Sequence, residues 1–323
     1  MEPIEWLLET ENPSVRYRTL AELLGRGESA EALDSQQAIP AYAPAEKLLE
    51  AMHPDGYWLQ KNQQTGRILG DGVEYGSFGT THFCLSYCAE LGLDKTHPSV
   101  AKAAERYMGL QREDGDWLGH YSCLYAYNIR TFVRLGYRGD EHVQRSIDLM
   151  LNTIRPDGGY LCDMHEKPGR KPAKSCIRGS VKALLAFAEL PEYWKHGRCL
   201  ALADYFLGRH GIFARNDLTR FVNDDIKRNA FPVIWRSNVW EILCALSKMG
   251  CGNDARLHDA WEVLESRKDQ EGRFRLDWTP TQCPWKVGKA GEANKWITLY
   301  CMLAEKYAGR VDRLPVNGMP EHH

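Results

Sequence analysis

Leu110-Gln111-Arg112-Glu113-Asp114-Gly115-Asp116-Trp117 decides the fold of this chain, because it links two apolar helical stretches and recurs in degraded form four more times. The other copies are Pro54-Asp55-Gly56-Tyr57-Trp58, Pro156-Asp157-Gly158-Gly159-Tyr160, His210-Gly211-Ile212-Phe213 and Gln270-Glu271-Gly272-Arg273-Phe274. Gly56, Gly115, Gly158, Gly211 and Gly272 are separated by 59, 43, 53 and 61 residues. A thin solenoid keeps a strict period, so this irregular spacing predicts helix pairs carrying inserted loops on one face.

The turn has a local logic. Asp accepts backbone N–H bonds, Gly takes positive φ, and the aromatic two residues on folds back against the helix just ended. Before each turn the pattern is amphipathic, as over Val143 to Ile154, where Ile147, Leu149, Met150 and Leu151 face inward. After each turn comes a stretch apolar or small on nearly every side: Thr80 to Leu91, Tyr121 to Leu135, Cys176 to Leu190, Val233 to Met249 and Lys295 to Glu305. Such helices are buried all round and form an inner ring. At the N-terminus, Ile4 to Glu9 reads as one helix; Asn12-Pro13 is an N-cap followed by Pro at the first helical position, opening a second that stops at Gly25. Strand signals are weak. The expectation is an all-α chain of twelve helices, six outer and inner pairs closing into an α/α toroid around a hollow, with the alternative an open HEAT-like arc. One domain is expected over residues 1–310, with a C-terminal tail over 311–323.

The 323 residues are 43% hydrophobic and 26% charged, which suits a folded protein. Lys plus Arg number 41 against 43 Asp plus Glu, a formal charge of −2. That balance argues against a nucleic-acid partner. No window reaches the roughly 18 uncharged apolar residues of a spanning helix, and Met1-Glu2-Pro3-Ile4-Glu5-Trp6 lacks the pattern of a signal peptide. The expected compartment is the cytoplasm, with the ten cysteines as free thiols or ligands. The ending Glu321-His322-His323 is left out of any site.

The helix, Asp-Gly-x-Trp, helix phrase resembles the repeat of the squalene cyclase and prenyltransferase β-subunit superfamily, the terpenoid cyclase/protein prenyltransferase α/α toroids, over residues 40–308. Residues 110–117 are similar to the Gln-Trp repeat of triterpene cyclases. The resemblance implies a toroid, and a function among cyclases, zinc transferases and non-catalytic binders. Its catalytic motifs are altered here. The cyclase acid motif Asp-x-Asp-Asp is met only by Val222-Asn223-Asp224-Asp225, without the first Asp. The transferase zinc pair, Asp and Cys two apart, is met by Lys174-Ser175-Cys176, with Lys where Asp belongs.

In a toroid the inner-helix N-termini and the loops before them gather at one mouth, where helix ends favour anions and lower thiol pKa values. The substrate-binding candidates there are Glu74, Tyr75, His120, Tyr121, Cys123, Arg178, Trp235, Arg236, Trp285, Lys295 and Trp296; the catalytic candidates are Asp163, His165, His82 and Cys176. Cys162, Asp163, His165, His120, Cys123 and Cys176 admit two chemical readings. One is a zinc site of mixed thiolate, imidazole and carboxylate ligands. The other, followed here with no cofactor and no metal, is acid–base work in which Asp163 and His165 move protons while Cys176 or Cys123 serves as acid or nucleophile. Satisfied loop polar groups and packed thiols are the structural alternative, as they are for Cys84 and Cys88 within one helix.

Tyr121, Tyr125, Tyr127, Trp235, Trp240 and Trp296 fall on inner helices and suit either core packing or an apolar guest. Arg130, Arg178, Arg236 and Lys295 lie in apolar helices and call for acidic neighbours or an anionic head group on a ligand. The basic stretch Glu166 to Lys174 reads as a lid or a solvated loop. Phosphate loops, Ser-His-Asp signatures and His-Glu-x-x-His are absent. The leading expectation is a cavity enzyme acting on a hydrophobic terpenoid or polycyclic substrate by proton transfer, as isomerase, cyclase or lyase. The alternatives are a non-catalytic binder of a small hydrophobic or partly anionic ligand, and a toroid lyase or hydrolase acting on an oligosaccharide.

Overall fold

The computed structural model describes residues 2–62, 64–74, 77–119, 121–166, 173–234, 236–281, 283 and 285–310. Among them the helices run α1 (Pro3–Leu7), α2 (Pro13–Arg18), α3 (Ala30–Ala38), α4 (Ala43–Glu50), α5 (Thr81–Leu91), α6 (Pro98–Met108), α7 (Ser122–Arg134), α8 (Glu141–Asn152), α9 (Ile177–Ala188), α10 (Gly197–Leu207), α11 (Val239–Lys248), α12 (His258–Glu265) and α13 (Lys295–Tyr307). A π-helical turn, Thr19–Leu23, continues α2. The expected cap is present: Asn12 accepts from the backbone N–H of Val15, with Pro13 opening the helix. Helices α2, α5, α7, α9, α11 and α13 form the inner ring, and every residue of α5 is buried. The outer helices α6 and α8 bury only one face.

All five repeat glycines have the left-handed backbone that the turn requires, with φ of 83° at Gly56, 87° at Gly115, 86° at Gly158, 79° at Gly211 and 77° at Gly272. The aromatic then caps the helix behind it. Trp58 Nε1 donates to the carbonyl of Leu48 in α4, Trp117 Nε1 to Tyr107 in α6, and the Tyr160 hydroxyl to Met150 in α8, at 2.6, 3.1 and 2.8 Å. Each bond satisfies one of the carbonyls that a helix end leaves open. In three repeats a hydroxyl of the next inner helix accepts the aromatic residue's own N–H: Thr81 for Trp58, Ser180 for Tyr160 and Thr298 for Phe274.

The same glycines set the spacing between outer helices. A Cβ at Gly115 would lie 2.5 Å from the carbonyl oxygen of Arg145 in α8, and one at Gly158 would overlap the carbonyl oxygen of Ala201 in α10. The last turn, at Gly272, faces Pro3 of α1, so α1 is the outer helix that closes the circle. Closure also shows in Lys295–Glu9 at 2.6 Å, Lys306 donating to the Glu22 carbonyl, and Arg18 donating to Tyr300 across 282 residues of chain. The fold is an α/α toroid, and the open arc is excluded.

Three details differ from the sequence reading. Thirteen helices are present among the described residues rather than twelve, the additional one being α3, which packs beside α2. Helix α11 starts at Val239 rather than Val233, because residues before it are held by loop contacts: Phe231 donates to the Trp278 carbonyl and the Val233 carbonyl accepts from the Tyr127 hydroxyl. A short apolar run fits a buried loop as well as a helix, and periodicity does not separate them. The inserted loops also hold small antiparallel hairpins: β1 (Met52–His53) with β2 (Tyr57–Trp58), β3 (Gln60–Lys61) with β4 (Ile68–Leu69), and β5 (Phe213–Ala214) with β6 (Asp217–Phe221). Among the described residues no helix is long and apolar enough to cross a membrane. The expected tail, 311–323, lies outside the described residues, as do 167–172 of the basic loop.

Candidate functional site

Alternation of outer and inner helices points every inner helix the same way, so six N-termini and their loops share one end of the ring. There Asp225, in the loop after β6, receives Arg236 at 3.0 Å, Arg228 at 3.4 Å and Arg178 at 3.6 Å. The Arg236 guanidinium lies over the Trp278 ring at 4.3 Å. The Arg178 side chain is 41% exposed, so this cluster of guanidinium forks and a part-exposed indole opens to solvent. The sequence offers Arg178 and Arg236 as candidates, and Asp224 and Asp225 only as part of an incomplete acid motif. Asp224 is 94% exposed beside Lys227, whereas Asp225 gathers the arginines.

Directly below, Lys182 of α9 donates to the Arg236 carbonyl and to Glu241 of α11, both at 2.7 Å, and Asn238 donates to the other Glu241 oxygen at 3.0 Å. Burial pushes the Lys182 pKa down and that of Glu241 up. This sealed pair is the floor of the mouth.

Deeper along the axis, where the sequence predicts a hollow, charged side chains fill the ring. Glu90 of α5 accepts from Arg18, Arg130 and Tyr300. Arg134 then bridges Glu22 and Glu189, and Lys248 completes the set on Glu189 at 2.7 Å. Burial raises the Glu90 pKa, but Arg130, Arg134 and Arg18 overcome it and hold the carboxyl at about 2. Glu189 likewise sits at about 2, with Arg134 and Lys248 outweighing its burial. The void among Glu22, Arg130, Arg134, Glu189, Trp240 and Tyr300 measures about 20 Å³. That is room for about one water molecule, so the expected wide apolar hollow is not what this part of the ring contains. Arg130 finds its counter-charge in the protein, as Lys295 does in Glu9.

The remaining candidates fall into three groups. Tyr75, His120 and Trp235 lie outside the described residues. Asp163 and His165 are exposed in a single 3-10 turn, one residue past the buried Cys162; Cys176, half-buried, is the N-cap of α9, and its N–H donates to the Tyr160 carbonyl. Tyr121 is the N-cap of α7, its N–H on Asp116, and Glu74 stands 4.0 Å from Arg67. These belong to the mouth. The third group does not present itself there. His82 is 1% exposed, packed against Phe83, Tyr107 and Tyr127, with neither ring nitrogen hydrogen-bonded. Burial alone pushes its pKa down to about 3, so it stays neutral in the core. Trp285 packs edge-on against Tyr87, and Trp296 stacks on Phe231 at 4.8 Å; at 6% and 3% exposure both are packing residues.

One pairing was invisible in the sequence. Cys162 Sγ lies 3.3 Å from Cys123 Sγ and 3.5 Å from the Ser122 hydroxyl, at the N-terminus of α7. Gly179 of α9 makes room, since a Cβ there would meet Ser122 Oγ at 2.8 Å. Hydrogen bonds from the Cys123 side chain, the Cys123 backbone and the Ser122 side chain and backbone outweigh burial and lower the Cys162 pKa to about 6. Among the described residues the thiols do not gather a third ligand within 4.8 Å. Among the described residues the one such triad of potential metal ligands is His258, Asp259 and Glu262, on the outer helix α12.

Comparison of the sequence with protein-family models and with curated proteins finds no match. Solved structures do match in fold. A protein described as glycosyl hydrolase family 88 from Bacteroides vulgatus is 17% identical, with a TM-score of 0.53 over 93% of this chain and 91% of that one. A polysaccharide lyase, BACCELL_00875, is 11% identical, with a TM-score of 0.51 over 94% and 92%. The type II terpene cyclase MstE from Scytonema is also matched, at 13% identity and a TM-score of 0.34 over 85% of this chain and 98% of that one.

Proposed function

We propose that this chain is a toroid enzyme acting on an acidic oligosaccharide by proton transfer, as a lyase or hydrolase, with the sugar lying across the mouth rather than inside the ring. The observation that carries the reading is the contrast between the two levels of the axis. The interior that would house a terpenoid holds the Glu90–Arg130–Arg134–Glu189 network. The mouth presents Arg178, Arg236 and Trp278 around Asp225. A guanidinium fork matches a carboxylate in two-point geometry, and an indole face takes the C–H side of a pyranose ring. Asp163 and His165 stand exposed on the loop before α9 at the same end, and they are the groups assigned to move protons. The descriptions of the two neighbours with TM-scores above 0.5, a glycosyl hydrolase and a polysaccharide lyase, agree with this chemistry.

The test is cleavage of a panel of uronate-containing oligosaccharides, read by new reducing ends and by the ultraviolet absorbance of an unsaturated product. His165→Ala and Asp163→Ala should each lower kcat by about a hundredfold or more with the fold retained. Arg236→Gln should raise KM instead. Absence of cleavage across the panel, together with an isoprenoid or other lipid carried through purification and seen by native mass spectrometry, would return the reading to the terpenoid class.

A further inference from the structure

A second site lies outside the ring, in a cavity of about 520 Å³ between α10, the β5–β6 hairpin and the segment leading into α9. Its cationic lining is Lys174, Arg209, Arg215 and Arg220, with Ile177 and Val222 supplying apolar wall. Arg209 decides what the cavity is for. It is only 9% exposed, its guanidinium is stacked 4.2 Å over the Tyr205 ring, and its Nε has no hydrogen-bond partner. Among the described residues no carboxylate pairs with it. A buried guanidinium left in this state is expensive, whereas a charged acceptor entering the cavity would satisfy it.

The acidic groups nearby do not fill that role. Asp157 lines the same cavity but is engaged by the Ser175 hydroxyl at 2.5 Å and the Gly159 N–H at 3.3 Å. Asp217 lies 3.9 Å from Arg220, at the exposed turn of the hairpin. Four cations against two carboxylates leave two positive charges facing a half-open cavity with an apolar side at Ile177 and Val222. In the linear sequence these residues are spread over Asp157 to Val222, and Arg209 reads as an ordinary basic residue at the end of an outer helix, so no motif announced the site.

We infer that this cavity is a binding site for a small organic oxyanion, a sugar-sized molecule bearing a carboxylate or phosphate that meets Arg209, with Arg215, Arg220 and Lys174 closing round it. The site adjoins the mouth through the segment around Cys176, but the inference does not rest on the reaction assigned there. Calorimetric titration of the full chain at low ionic strength uses three probes: glucuronate, glucose 6-phosphate and inorganic phosphate. At least one should bind, and its affinity should fall with added salt. Preference for glucuronate identifies a saccharide acid as the source of the anion, and preference for either phosphate a phosphoryl group. Arg209→Gln should weaken binding by about tenfold or more. Because Arg209 is largely buried, the exposed pair Arg215→Gln and Arg220→Gln provides a second measure that leaves the core intact, and it too should weaken binding. Arg256→Gln, at an exposed arginine paired with Asp254 that lines neither the cavity nor the mouth, should leave the probe's affinity unchanged. The inference fails if none of the three probes binds at millimolar concentration, or if the Arg209 and the Arg215/Arg220 variants bind as the unmodified chain does.

Discussion

At Cys162 four groups converge on one sulfur, the side chains and backbone N–H groups of Ser122 and Cys123. Together they favour the thiolate enough to override burial, bringing its pKa from 9.0 to about 6. A depressed folded pKa ties stability to pH in one direction: the contribution is fully present above the unfolded value near 9 and is lost as pH falls through 6. The difference in unfolding free energy between the unmodified chain and Cys162→Ala should therefore widen from pH 6 to pH 9, by at most about 1.4 kcal/mol per pH unit. Urea melts at several pH values measure this. Parallel curves for the two proteins would mean that Cys162 stays protonated. The sequence names both cysteines but not their contact, because 39 residues separate them and only the approach of α9 to α7 at Gly179 brings the loop thiol against the helix.

At the level of the elements, the repeat turn carries most of the information that was legible in the chain. Asp, Gly and an aromatic in fixed order dictate a left-handed residue and a cap, and both are local properties. The next outer helix then abuts the glycine, and this second use explains why the position tolerates no side chain. Gly158→Ala would place a methyl on a φ of 86° and against the Ala201 carbonyl, at a cost of about 2–4 kcal/mol. Gly197, at the start of α10, is the control: a Cβ there meets nothing within 4 Å, so Gly197→Ala should leave stability unchanged or raise it by up to about 1 kcal/mol. Equal losses at the two positions in denaturant melts would remove the packing role assigned to the turn. Where the pattern is not local, the reading falls short. The start of α11 shifts by six residues because Val233 and Ile234 are buried by loop contacts rather than by helical phase.

For the molecule as a whole, the ring's axis carries a charge network set among inner-helix aromatics such as Trp240 and Tyr300, which inner-helix composition alone does not foretell. Arg130 is recognisable in sequence as a cation needing a partner, yet Glu90, Glu22 and Glu189 come from three other segments, and only closure of the ring places them on one axis. The site divides along the same line. Arg178 and Arg236 are legible as basic residues at inner-helix starts, while their joint hold on Asp225 and the unpartnered Arg209 emerge only from tertiary packing. Replacing one member of the buried network strands the others, so Glu90→Gln should cost about 3–5 kcal/mol. The same network sets the acid limit of the fold. Glu90 and Glu189 titrate at about 2 in the folded chain against 4.5 when exposed, and Glu22 is lowered as well. Their contribution is complete above the unfolded value and drains away as pH falls from 4.5 towards 2. Thermal melts across this range should show a steep loss of stability in the unmodified chain and a shallower one in Glu90→Gln, which has one fewer carboxylate to protonate. Added salt should change the Glu90 contribution little, because Glu90 and its partners Arg18 and Arg130 are shielded from the solvent. Identical acid limbs for the two proteins would show that the axis is held by packing alone and that its charges are incidental.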